Sequence, residues 1–180
     1  TLAELWLYWP SLPDTWAAIL ESIIQRLRRD LWPSLRSSVS TTAKEESDLF
    51  VGKALRRLIE WDPGKLREVE KLLERAATYF NGSARVRAHG DLNFNNILYS
   101  LNTGMIKLLD PRGDEFMPIT YELAKLRYSY HAGFAAITHG LTSPDWGLLP
   151  ERLHEITALD EVIAKWMPLD KCTVAEACLL

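Results

Sequence analysis

Apolar residues recur at three- and four-residue steps along most of this chain, the period of amphipathic helices. From Thr15 to Asp30 the stripe is Trp16, Ile19, Leu20, Ile23, Ile24 and Leu27. Asp14 stands before it as an N-cap, and Arg26, Arg28 and Arg29 crowd its C-terminal end, where they complement the helix dipole. From Lys65 to Phe80 the inward set is Leu66, Val69, Leu72, Leu73, Ala76 and Tyr79, closed by Asn81-Gly82. From Glu151 to Trp166 it is Leu153, Ile156, Leu159, Val162 and Ile163, closed by Pro168. Shorter helices are expected at Thr1 to Trp9, from Ser47 or Asp48 to about Trp61, and from Val174 onward. Leu35 to Ser47 is rich in Ser and Thr and reads as a loop. From Ile119 to Thr138, Tyr121, Leu123, Ala124, Leu126, Tyr128 and Phe134 are too many apolar groups for one stripe, which predicts a central, largely buried helix.

The pattern changes in the middle. Arg85 to Ala88 is strand-like, and two apolar runs, Ile97 to Tyr99 and Ile106 to Leu109, flank Ser100-Leu101-Asn102-Thr103-Gly104. Asn-Thr-Gly between such runs predicts a β-hairpin. The expected class is α+β, mostly helical, with one small hairpin and no internal repeat.

A chain of 180 residues suits one domain with a sizeable core. The formal net charge of -3 carries no electrostatic footprint for nucleic acid or an anionic membrane, and no apolar run is long enough to span a bilayer. Cys172 and Cys178 match no zinc or redox spacing and fit a reducing, cytoplasmic setting. Trp6, Trp9, Trp16 and Trp32 cluster near the start, which predicts packing against an element outside this chain. Thr1 in place of Met, and an apolar Leu180, suggest a piece of a longer protein.

The chemistry concentrates in His89-Gly90-Asp91-Leu92-Asn93-Phe94-Asn95-Asn96-Ile97-Leu98-Tyr99 and in Ile106-Lys107-Leu108-Leu109-Asp110-Pro111-Arg112-Gly113. A hairpin with Asp91 and Asn96 before it and Asp110 after it can gather three oxygen-bearing side chains at one end. Mg²⁺ takes oxygen ligands and usually keeps waters, so one amide, one carboxylate and substrate phosphates suffice. Asn96 and Asp110 supply the first two, and Asp91 remains to accept a proton from an attacking hydroxyl.

His-Gly-Asp, four residues, Asn-Ile-Leu, then Ile-Lys-Leu-Leu-Asp, resembles the catalytic and metal loops of the aminoglycoside phosphotransferase and choline kinase group, small-molecule kinases with a protein-kinase-like fold. Tyr121-Glu122-Leu123-Ala124-Lys125-Leu126 is similar to the start of the helix after the metal loop, where many members carry Asp in place of Glu122. The resemblance implies the C-terminal lobe of that fold over residues 1–180: helical over 1–82, catalytic and metal loops over 83–113, helical again over 114–180. It implies transfer of the γ-phosphoryl group of ATP, or another nucleoside triphosphate, to a small-molecule hydroxyl. Asp91 is then the base, Asn96 and Asp110 hold Mg²⁺, and Leu98 and Leu109 floor the nucleotide base. Asn93 stands where protein kinases carry a phosphate-facing Lys and small-molecule kinases often carry His, so the resemblance implies a cofactor-binding position there. Asp110-Pro111-Arg112-Gly113 departs from Asp-Phe-Gly, which puts a Phe-based switch in doubt.

No Gly-rich phosphate loop and no strand with an Ala-x-Lys pattern precedes Asp91, so the nucleotide-clamping N-terminal lobe is expected upstream of Thr1, and these residues alone are expected to bind nucleotide weakly. His89 reads as an imidazole bracing the loop. Arg112 either pairs with a carboxylate or reaches a phosphate. Asp114, Glu115 and Glu122 either suit a cationic acceptor, such as an aminoglycoside or choline, or are structural; a sugar acceptor needs no such charge. Two further readings stand beside the kinase: a catalytically silent kinase-like binding module, and a metal-dependent hydrolase with His89, Asp91 and Asp110 as ligands.

Overall fold

A computed structural model describes residues 1–9, 13–32, 51–56, 59–60, 64, 66–81, 84–112, 116–141 and 150–177. It is α+β and mostly helical. The helices with defined bounds are α1 (Leu2–Tyr8), α2 (Pro13–Asp30), α3 (Leu66–Asn81), α4 (Ile119–Tyr130), α5 (Phe134–Thr138), α6 (Pro150–Ala164) and α7 (Leu169–Ala177). Residues 51–56 and 59–60 are also helical. The expected loop from Leu35 to Ser47 lies outside the described residues.

α1 begins with a capping box, in which Thr1 and Glu4 satisfy each other's backbone N–H groups. The stripe of α2 is buried as its spacing predicts, and α2 packs along α6. α7 packs against both α3 and α4. On α3, Leu73, Ala76 and Phe80 are buried and Tyr79 half-buried. Leu153, expected inward, is exposed on α6.

α4 lies between two apolar clusters. Leu123, Leu126 and Tyr130 face the larger one, built on α1, α2 and α6, while Tyr121 and Ala124 face the smaller, with Leu73, Phe80, Met117 and Val174. Two partners on two sides are why its apolar residues surround it. The single helix expected to Thr138 is instead broken after Tyr130. Gly133 takes a left-handed φ of 69°, cheap only for glycine, and restarts the chain as α5.

The early tryptophans also correct an expectation. Trp6, Trp16 and Trp32 are buried in this chain's own core rather than reserved for an outside element. Trp6 packs edge-on against Trp16 at 5.1 Å, Tyr130 at 6.2 Å and Phe94 at 6.4 Å between ring centroids. Phe94 belongs to the loop after Asp91, so the N-terminal aromatics hold that loop from below.

There are two small antiparallel sheets. β2 (Ile97–Tyr99) and β3 (Ile106–Leu108) form the expected hairpin, with Ile97 opposite Leu108 and Leu98 opposite Lys107. β1 (Arg85–Arg87) pairs with β4 (Phe116–Pro118), a strand the sequence pattern did not suggest. This second pairing brings the chain back after the β2–β3 hairpin and starts α4 directly beside the His89–Asp91 segment. Among the described residues no helix is long and apolar enough to cross a membrane.

Candidate active site

The loop from His89 to Asn96 is shaped by its own polar side chains. Gly90 has a φ of +80°, and a Cβ there would stand 3.0 Å from the Cβ of Arg112, so glycine answers both the turn and the close approach. Asn93 caps a short 3₁₀ turn at Phe94–Asn96: its amide oxygen accepts from the Asn95 N–H at 3.0 Å, and its amide nitrogen donates to the Asp91 carbonyl at 3.2 Å. Asn93 is 4% exposed, so the geometry gives this residue to the loop itself.

Asp91 and Asn96 meet directly. The Asn96 Nδ2 donates to the Asp91 carbonyl at 2.9 Å and to the Asp91 Oδ2 at 3.3 Å. With the nitrogen end so engaged, the oxygen end of the same amide is turned away from Asp91. Across the hairpin the Leu109 N–H donates to the Asn96 carbonyl at 2.8 Å, extending the ladder by one pair and placing Asp110 next to it. Asp110 is exposed and takes a φ of 52°, a region Asp tolerates better than most residues but still strained. Leu98, 37% exposed, shares the outer face of the hairpin with Lys107 and, by alternation, with half-buried Leu109.

His89 braces the loop as expected. Its Nε2 donates to the Leu109 carbonyl at 2.8 Å and its Nδ1 accepts from the Asp91 N–H at 3.3 Å. Burial holds its pKa below the ordinary imidazole value, against the Leu109 carbonyl and the carboxylates of Asp91 and Asp110, which favour the charged ring. Both ring nitrogens are occupied, which argues against a hydrolase with His89 as a metal ligand. Among the described residues no three His, Cys, Asp or Glu side chains gather to hold an ion. A site of one amide, one carboxylate and phosphate oxygens is of a different kind, and the amide of half-buried Asn96 with the exposed carboxylate of Asp110 is a donor set of that kind.

α4 contributes three residues, Glu122 and Lys125 within the segment the resemblance covers and Ser129 beyond it. Glu122 is fully buried and accepts from the backbone N–H of His89 at 2.8 Å and of Gly90 at 2.9 Å. It is therefore unavailable to a cationic acceptor, which is the structural of the two alternatives for this residue; Asp114 and Glu115 lie outside the described residues. Ser129 accepts from the Phe94 N–H at 3.0 Å. Lys125 forms an ion pair with the Asp91 Oδ1 at 3.1 Å, and Arg112 pairs with Oδ2 at 3.3 Å. Burial alone would raise the Asp91 carboxyl, but Lys125, Arg112 and the Asn93 amide together hold it below the ordinary value. Three surface clefts, beside α1 and the hairpin, between α3 and Trp166, and between α2 and β3, include none of Asp91, Asn96 or Asp110 in their walls.

Burial pushes the Glu122 carboxyl up to about 7, against the two N–H donors that lower it. A folded-state value above the ordinary one means that its stabilising contribution is complete at acid pH and is lost as pH rises through about 7. Glu122→Gln removes this titration, while His89, Asp91 and Lys125 remain in both proteins. The stability of the wild type relative to the variant is expected to fall by something on the order of 3 kcal/mol between about pH 5 and about pH 8. Urea unfolding across that range checks it, and a difference that is flat or grows with pH contradicts it.

Comparison of the chain with family models, with curated proteins and with solved structures gives no match in any of the three.

Proposed function

We propose that these residues are the catalytic and metal-binding part of a small-molecule kinase. It would transfer the γ-phosphoryl group of ATP, or a related triphosphate, to a hydroxyl of a sugar-like, aminoglycoside or amino-alcohol acceptor. Asp91 orients the hydroxyl and takes its proton; Asn96 and Asp110 are the residues that would hold Mg²⁺, whose role is to neutralise charge on the phosphates. Leu98 and Leu109, on one outward hairpin face, form the floor for the nucleotide base. The carrying observation is the direct bond from the Asn96 amide nitrogen to the Asp91 carboxylate, with Asp110 one residue beyond the Leu109 that pairs with Asn96. That arrangement sets a carboxylate beside an amide and brings a second carboxylate to the same end of the hairpin, which supports reading them as base and metal ligands.

A phosphate-covering loop and its paired Lys would come from chain beyond these residues and close over the hairpin. The testing experiment is a transfer assay with γ-labelled ATP on the full-length protein, offered sugars, amino sugars and choline, with Asp91→Asn as the blank. Labelled product that needs Asp91 supports the reading; equal label with the variant, or none with any acceptor, counts against it.

A second reading, a catalytically silent module of the same fold, is favoured by one observation. Lys125 and Arg112 both engage the Asp91 carboxylate. In that reading nucleotide or acceptor binds and no label is transferred.

A further inference from the structure

The two oxygens of Asp91 are not equivalent. Oδ2 receives both Asn96, at 3.3 Å, and Arg112, at 3.3 Å. Oδ1 faces the Lys125 ammonium at 3.1 Å. A carboxylate oxygen has room for about two donors, so Oδ1 is the less crowded acceptor for an incoming hydroxyl. A hydroxyl seated there lies beside the Lys125 ammonium, and so does whatever group is moving onto its oxygen.

A purely structural role for Lys125 is poorly matched to its surroundings. Its side chain is 15% exposed, so its charge is largely removed from water, which is costly. The tie it would provide is already made by neighbours on the same helix: Glu122 holds the His89 and Gly90 N–H groups, and Ser129 holds that of Phe94. The residue two places after Asp91 offers no alternative cation, because it is Asn93, buried and spent on the loop. The ring of Tyr121, 5.9 Å from the Lys125 Nζ, steadies the ammonium from the side.

The geometry points to Lys125 as a further catalytic residue: its ammonium contacts the phosphoryl group as that group passes to the hydroxyl held at the Asp91 Oδ1. This rests on the kinase reading above. In the step, the hydroxyl oxygen forms a bond to the γ-phosphorus, the bond from that phosphorus to the bridging oxygen breaks, and its electron pair leaves with the nucleoside diphosphate. The hydroxyl proton passes to Asp91. Negative charge spread over the equatorial oxygens in flight is what a fixed ammonium stabilises.

The test compares binding of MgADP alone with MgADP plus aluminium fluoride, a mimic of the moving phosphoryl group, in the full-length wild type, Lys125→Met and Lys125→Arg. Calorimetry gives the affinities, and amide NMR spectra establish that each variant keeps the loop. Lys125→Met is expected to change MgADP affinity by no more than about twofold and to lose about 10²-fold of the gain that aluminium fluoride brings, with Lys125→Arg regaining part of it. An undiminished gain in Lys125→Met overturns the assignment to Lys125 and leaves the kinase reading standing. A wild type that binds no MgADP overturns both.

Discussion

Asp91→Asn in the full-length protein is expected to lower kcat by about 10²- to 10⁴-fold, the usual contribution of a general base. The substitution keeps the size of the side chain and replaces the basic carboxylate with an amide that does not take up the proton. It also removes the ion pairs to Lys125 and Arg112, yet the loop has other anchors. Glu122 and Ser129 grip its backbone from α4, and Phe94 is sunk among Trp6 and Tyr130. The fold is therefore expected to survive, with KM for nucleotide little changed. Steady-state kinetics beside thermal unfolding separates the two effects. Turnover close to the wild type removes Asp91 from the chemistry.

Asp160→Ala is expected to be the most damaging substitution for stability, costing about 3–5 kcal/mol. The Arg127 guanidinium, almost wholly buried, donates from Nε and Nη2 to the two Asp160 oxygens, each at 2.8 Å, and from Nη1 to Thr173 Oγ1 at 3.1 Å. The Tyr130 hydroxyl donates to Asp160 Oδ1 at 2.8 Å. Burial, reinforced by the Asp160 carboxylate, pushes the Tyr130 phenol well above its ordinary value, which keeps it a donor at any physiological pH. The Asp160 carboxylate thus ties α6 to α4 at two residues, and the Arg127 guanidinium carries the tie on to Thr173 of α7. Removing it strands a buried cation from its bidentate partner, where a surface pair would be worth about 1 kcal/mol or less. Denaturant unfolding near neutral pH gives the loss directly; a drop below about 1 kcal/mol would mean that water reaches Arg127 and replaces the carboxylate.

The sequence made some of this legible and not the rest, for physical reasons. α2 and the β2–β3 hairpin could be read because a helical stripe and an Asn-Thr-Gly turn are local signals. Asp91 and Asn96 could be paired because only four loop residues stand between them. β1 and β4 are three residues each and pair across the whole hairpin, so no periodicity announces Phe116–Pro118 as a strand. The break at Gly133 was masked by apolar residues on both sides of it.

The α4 contribution was legible only in part: Glu122 stood out beside the site, while Lys125 and Ser129 did not. Glu122, Lys125 and Ser129 stand at three- and four-residue spacing on a helix otherwise buried in apolar clusters. A polar stripe on such a helix requires a polar partner, and here the partner is the backbone of the His89–Phe94 loop and the Asp91 carboxylate. The fate of the tryptophans was harder to foresee. Composition says that large aromatic rings will be covered, and only tertiary packing decides that the cover is Phe94, Tyr130 and one another.

In the proposed enzyme Asn96 and Asp110 hold a divalent cation against nucleotide phosphates, beside Asp91. Paramagnetic broadening by Mn²⁺ reads this position by position. In the 180-residue chain, ¹⁵N-labelled and titrated with Mn²⁺ and ADP together, the amide signals of Asn96, Leu109 and Asp110 are expected to broaden before all others. The same titration of Asp110→Ala is expected to leave them sharp. Broadening centred elsewhere, or unchanged in Asp110→Ala, would contradict the account.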